Sequence, residues 1–215
     1  MKHHKVSENQ TIRRILLSAC ATALAVACTV VLPQPAHADH VTPPSVPDDI
    51  AVPYGHVAFL VGHAIGTQNY VCLPSGTDVK FTLFTPQATL FDDHGKKIIT
   101  HYFSPNPIEN GTIRATWQHS RDTSTVWGQG KSSSDSHCAA PGAIACLLVT
   151  VVGAEDVPTG GDKLSETTFI QRLNTSGGVA PSTGCASSTD VGHQAFVPYM
   201  ADYFFYKAAQ HGQHD

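Results

Sequence analysis

From residue 51 onward the chain consists of short runs rich in Val, Ile, Thr, Phe and Tyr, each closed by a turn cluster. That alternation restricts it to antiparallel β architecture. Turn chemistry falls at Pro74-Ser75-Gly76, Asp92-Asp93-His94-Gly95, Asn110-Gly111, Pro141-Gly142 and Thr159-Gly160-Gly161. The intervening runs predict strands near 56–63, 68–73, 79–84, 87–91, 97–103, 112–118, 124–128, 145–152, 166–174 and 197–206. No segment carries a long amphipathic helical period, and no internal repeat is evident. The expected fold is a single-domain, all-β, antiparallel β-sandwich or barrel of about 8 to 10 strands.

The first 38 residues have a different grammar. A basic stretch (Lys2, Lys5, Arg13, Arg14) precedes an apolar run over 15–32, and Ala36-His37-Ala38 fits a small-residue cleavage site. This predicts a cleavable secretory signal over 1–38, cut before Asp39, and hence a secreted or periplasmic protein. A lipidated Cys28 is the lesser alternative, and Arg13-Arg14 alone is a weak twin-arginine motif. Residues 39–50 hold Pro43, Pro44 and Pro47 and predict an extended, poorly ordered lead-in. The β-rich domain is expected over 51–207, followed by a polar tail over 208–215.

Composition narrows the function classes. The 215 residues carry 13 basic and 17 acidic side chains, and 14% are charged. Removing 1–38 takes away four basic residues and one acidic, leaving 9 against 16. With no Lys/Arg block, nothing provides the electrostatic footprint of a nucleic-acid binder. After cleavage no segment is apolar and long enough to span a membrane as a helix. Four cysteines remain, and an even number in an exported chain predicts two disulfides among three connectivities. Cys138 with Cys146 flank a Pro-Gly turn, so their closure is local. Cys72 with Cys185 would close a long loop, which the chain-entropy picture values at about 4 to 5 kcal/mol. The cysteine spacings match no zinc pattern.

Alternation assigns faces. In 165–174, Phe169, Gln171 and Leu173 share one face while Ile170 and Arg172 share the other, so Gln171 or Arg172 must keep apolar company. Ile99, His101 and Phe103 align, as do Gln68, Tyr70 and Cys72. Tyr199, Ala201, Tyr203 and Phe205 oppose Met200, Asp202, Phe204 and Tyr206, which predicts a strand covered on both sides. Polar residues stranded on apolar faces are the candidate site: His63, Gln68, His101, Gln171, Arg172 and Tyr203. Here His101 and Arg172 would be charge or proton partners, Gln68 and Gln171 would orient a ligand, and Tyr203 would supply a ring face and a hydroxyl.

Catalytic signatures are sparse. There is no G-x-S-x-G, no P-loop and no G-x-G-x-x-G. The carboxylate pairs Asp48-Asp49, Asp92-Asp93 and Glu155-Asp156 sit beside turn residues, where they serve backbone and solvent. Ten histidines follow residue 38, among them His56, His63, His101 and His119 on strands, yet no H-x-H or H-E-x-x-H occurs. The sequence therefore assigns no metal ligand and no cofactor, and it leaves the oligomeric state open. Tyr199, Tyr203, Phe204, Phe205 and Tyr206, with Trp117 and Trp127, offer flat surfaces suited to sugar rings or small aromatic ligands.

Several strings resemble a known family. They are Val61-Gly62-His63-Ala64-Ile65-Gly66-Thr67-Gln68-Asn69-Tyr70-Val71-Cys72, Thr100-His101-Tyr102-Phe103, the run over 169–181, Cys185, and the run over 197–206. Together they resemble the domain of unknown function 3455 family over about 51–207. The resemblance implies an exported bacterial or fungal protein, implies no activity, and pairs Cys72 with Cys185. At Ala145-Cys146 the chain departs from an expected Pro-Trp pair, which marks Cys138 and Cys146 as a local addition. The leading expectation is a small-molecule or glycan-binding β-domain. The alternatives are a metal-assisted or acid/base hydrolase or lyase using His63 and His101, and a structural or stress-protective envelope protein.

Overall fold

A computed structural model describes residues 41–134, 138–156 and 159–210. The signal over 1–38, its cleavage site, Cys28 and the residues after 210 lie outside that range. Eight antiparallel strands make up the domain: β1 (His56–Ser75), β2 (Asp78–Phe91), β3 (Lys97–Asn106), β4 (Thr112–His119), β5 (Thr125–Ser134), β6 (Cys146–Glu155), β7 (Phe169–Gly177) and β8 (Gln194–Ala208). Each pairs with its neighbours in sequence, and β8 returns to β1, so the sheet closes into a barrel with no free edge. Of the two expected architectures the barrel is the one formed.

Ten expected strands become eight because two apparent breaks are strand interior. Gly66 lies inside β1, not at its end. A Cβ there would stand 2.2 Å from the Gln87 carbonyl oxygen, so glycine is what lets β1 and β2 approach. Pro86 lies inside β2, beside a register shift at Asn69/Tyr70, while β3 begins to pair with β2 only at Ala88. The missing ladder is partly replaced by a side chain: the Phe103 N–H donates to Thr85 Oγ1 at 3.0 Å.

Alternation along the strands, reset at bulges in several of them, divides the apolar residues into two cores. Inside the barrel, Ala64, Ala88, Leu90, Ile99, Trp117, Val126, Val149, Ile170, Tyr199, Ala201, Tyr203 and Phe205 form one cluster. Small residues sit beside bulky ones, as the taper of a narrow barrel requires. Outside, Ile50, Leu148, Leu173, Phe204, Tyr206 and the Cys138–Cys146 pair form the second, with Val41, Val46 and Val52 packed on it. The stretch over 39–50 therefore differs from the expected loose lead-in wherever it is described. It ends in a 3-10 turn (Asp48–Ile50), and Ile50 is fully buried on the barrel wall. Burying that side chain offsets the entropy of fixing the segment, which no pattern in the proline-rich sequence discloses. For β8, two-sided cover holds at Phe204–Tyr206 but not at Met200, which is exposed.

Two disulfides tie the loops down. Cys72–Cys185 spans 113 residues and Cys138–Cys146 spans 8, with Cα–Cα distances of 5.5 and 6.2 Å. Such cross-links belong to an oxidising compartment. Among the described residues no helix is long and apolar enough to cross a membrane.

Candidate functional site

The barrel interior is not filled along its whole length. A cavity of about 260 Å³ lies toward the end where β1 turns into β2, lined by Gln68, Leu83, Pro86, His101, Phe103, Ile113, Arg114, Ala115, Trp117, Gly128, Gln129, Gly130, Leu147, Val149, Arg172 and Tyr203. Leu83 and Ile113, 39% and 58% exposed, form an apolar rim. The opening lies where β2 and β3 cease to pair. Gly128 makes room for the interior indole, because a Cβ there would meet Val149 at 2.4 Å and Trp117 at 3.0 Å.

Four of the six sequence-predicted site residues, Gln68, His101, Arg172 and Tyr203, line this cavity. His63 and Gln171 do not. Gln171 belongs to the outer face of β7, where its amide donates to the Ile50 carbonyl at 2.6 Å and its oxygen accepts from the Tyr206 hydroxyl. His63 is on the outside of β1, half-exposed, with Nδ1 2.6 Å from Asp202 Oδ1 and Nε2 2.8 Å from Asp93 Oδ1. Two carboxylate partners call for two N–H donors, so the imidazolium is favoured and the pKa is raised, Asp93 contributing most. Asn174 donates to the second oxygen of Asp202 at 2.7 Å.

His101 is the opposite case. Its Nδ1 lies 2.8 Å from the Thr116 carbonyl oxygen, which can only accept, so Nδ1 carries the proton. Complete burial, with the Arg172 charge nearby, lowers its pKa to about 3. The ring is therefore neutral, with Nε2 a bare lone pair. This corrects the expectation that His101 and Arg172 act as charge partners, because the guanidinium disfavours a second positive charge. His101 stacks on Trp117 at 4.3 Å and lies 5.2 Å from the Tyr203 ring. The Tyr203 hydroxyl is 3.3 Å from that of Tyr199, whose pKa burial pushes up.

Three buried N–H donors have no partner: Gln68 Nε2, Trp117 Nε1 and Arg172 Nε. All three belong to cavity-lining side chains. Arg172 makes one hydrogen bond, from Nη2 to the Ala145 carbonyl at 2.7 Å, and no ion pair among the described residues. The other arginine at the cavity, Arg114, is fully engaged by Glu109 through bonds of 2.8 and 2.7 Å, which hold that carboxyl down to about 2. Trp117 is absent from the six predicted residues. Its signal was available, since alternation through β4 aligns it with Ala115 and Ile113, but tryptophan on an apolar face reads as packing. Leu83, Pro86, Ile113 and Leu147 carried no signal, because only closure of the sheet turns them toward one space.

His63 and His101 do not converge, as one faces outward and the other inward. Among the described residues no group of three or more His, Cys, Asp or Glu side chains is placed to hold a metal ion. His40, His137, His211 and His214 lie outside the described residues.

Fold and site thus define a disulfide-bonded, eight-stranded antiparallel barrel with an internal, mainly apolar cavity carrying unpaired donors. The family model described as Protein of unknown function (DUF3455) matches residues 53–207, and the chain belongs to that family. No curated protein and no solved structure matches it.

Proposed function

We propose that this protein is an exported carrier or receptor that holds one small molecule inside its barrel. The observation that carries this reading is the coincidence of void and orphaned donors. Buried polar groups in folded proteins are nearly always hydrogen-bonded, and each exception asks for an explanation. Three exceptions on one cavity wall are explained together by a ligand that brings the acceptors. The fold accommodates the reading, because an eight-stranded closed barrel has an interior that side chains fill or that holds one small ligand. Small-molecule sites combine apolar walls with a few convergent polar groups, as here. The cavity is at the low end of the usual size, so a free monosaccharide or a small ring compound fits better than an extended glycan. Export through the signal over 1–38, to the periplasm or outside the cell, accords with the two disulfides.

The test is native mass spectrometry of the exported protein, purified without tags, beside a thermal-shift panel of small apolar molecules. A bound mass lost on denaturation, or a panel member that raises Tm by mass action, is the expected result. Ala115→Phe, which fills the cavity, is expected to abolish it while the barrel stays folded. A native mass equal to the denatured one, together with no shift across the panel, would overturn the reading in favour of a structural protein.

A further inference from the structure

We infer that the ligand is a small apolar carboxylate whose head group is held by Arg172, Gln68 and Trp117. The inference rests on the binding-barrel reading above and goes beyond it by fixing charge and polarity. The three orphaned groups that line the cavity are all donors, so the partner they lack is an acceptor; the two other unpaired buried atoms, Asn69 Oδ1 and Ser132 Oγ, lie off its lining. One of the three is a guanidinium with no carboxylate of its own, half-buried in a cavity whose lining contains no Asp or Glu. A charge taken out of water without a counter-charge is costly, so the occupant that relieves the cost is an anion.

The charge count limits that anion. Arg114 is neutralised by Glu109, and His101 is neutral with its single proton committed to the Thr116 carbonyl. Arg172 alone supplies positive charge to the interior, which matches a monoanion better than a phosphate dianion. A planar carboxylate also suits donors of a guanidinium, an amide and an indole, since charge-assisted bonds to a carboxylate are the strong ones. The rest of the wall is mainly apolar, with Leu83, Phe103, Ile113, Leu147 and Val149 outnumbering the polar groups of His101, Gln129 and Tyr203. The body of the ligand is therefore hydrocarbon, aliphatic or aromatic, and a bare sugar is disfavoured.

The experiment is isothermal titration of the folded, disulfide-bonded protein with hydrocinnamate, cyclohexanecarboxylate and octanoate, each beside its neutral primary alcohol. At least one acid is expected to bind ten-fold or more tightly than its alcohol. In Arg172→Met that preference is expected to fall to about two-fold or less, with Tm unchanged, while Arg114→Met retains it. Should Arg172→Met unfold, Gln68→Leu serves as the second variant and is expected to lower the preference several-fold. Acid and alcohol binding alike would overturn the carboxylate inference and leave the binding barrel standing. Loss of the preference in Arg114→Met instead would overturn the assignment of the head group to Arg172. Binding of neither class would overturn this inference, and with no mass found on the exported protein it would overturn the binding barrel as well.

Discussion

The inner and outer surfaces of the barrel wall use the same side chains to opposite ends. Gln171 on the outside has both ends of its amide bonded, whereas Gln68 on the inside leaves its NH₂ unpaired. Trp127 on the outside donates to Ser104 Oγ at 2.9 Å, whereas Trp117 on the inside donates to nothing among the described residues. Arg114 at the rim has its carboxylate, and Arg172 within has none. The contrast is sharpest on β7, where Gln171 and Arg172 are consecutive and face opposite ways. Away from the cavity most buried polar side chains among the described residues are satisfied, Asn69 Oδ1 and Ser132 Oγ being the exceptions. Of the five unsatisfied buried side-chain atoms among the described residues, the other three line the cavity; it is the gathering of three donors on one empty space that distinguishes a preorganised site from a core.

The largest effect expected from that contrast is on the sealed side. Ile50→Ala empties a fully buried position under which Gln171 is bonded, and is expected to cost about 3 to 4 kcal/mol. Arg172→Met, by removing an uncompensated charge from the cavity, is expected to stay within about 1 kcal/mol of the parent or to stabilise it. Urea unfolding of both variants checks this. Equal losses would mean that the interior arginine is structural and that the two sides are alike.

Acid comes next. His101 has its folded pKa near 3 against 6.5 unfolded, so the unfolded chain binds the proton and the folded one refuses it. The contribution is therefore full above pH 6.5 and is lost as pH falls, reaching about 3 kcal/mol at pH 4.5. The lowered carboxyls of Glu109, Asp122 and Asp190 lose theirs mainly below that pH, which separates the effects. His101→Gln can keep the donor to Thr116 without titrating. Comparing unfolding free energies at pH 7 and 4.5, the variant should forfeit much less than the parent, and an equal forfeit would place the acid sensitivity elsewhere.

The paired glutamines should differ more modestly. Gln171→Leu leaves the Ile50 carbonyl and the Tyr206 hydroxyl without partners and is expected to cost about 2 kcal/mol. Gln68→Leu removes a donor that had no partner and is expected to change stability by less than about 1 kcal/mol in either direction. Thermal unfolding of the two variants suffices, and a larger loss for Gln68→Leu would break the contrast.

How far the sequence discloses this arrangement follows from what alternation can and cannot encode. Period two correctly puts Gln171 and Arg172 on opposite faces, and groups Ile99 with His101 and Phe103. It does not say which face is interior, since that depends on β8 closing on β1. For that reason His63, on a run of small and apolar neighbours, falls into the same candidate group as His101 although it faces solvent and two carboxylates. Gly66 and Pro86 carry the chemistry of turns and end up inside strands, because the close passage of β2 at Gly66 and the absent ladder at Pro86 are tertiary facts. The fold class and both disulfides were within reach of pattern and loop arithmetic. The sealing of the outer wall by the segment ending at Ile50 was not, as proline-rich sequence gives no sign of what it will cover.

The two strand histidines offer the last and smallest test, because they should respond to pH with opposite sign. His63 has a folded pKa raised by Asp93 and Asp202, so its contribution is full below 6.5 and disappears as pH climbs through the raised value. The side chain is 43% exposed and Asp93 more so, and solvent screening keeps the effect below about 1 kcal/mol. Between pH 6 and 8.5 the parent should lose a small increment of stability relative to His63→Gln, and Asp202→Asn, which leaves Asp93 in place, should reduce that increment without removing it. His101 is neutral throughout that range when folded but takes up a proton at the lower end when unfolded, so it adds a slope of the opposite sign, and the His63 effect is read as the difference between parent and variant. An unchanged slope in His63→Gln would mean that the Asp93–His63–Asp202 bridge exerts no net hold on the β2–β3 turn. A slope of the same sign from both histidines would be harder to accommodate, because it would require one of them to stand on the other side of the wall.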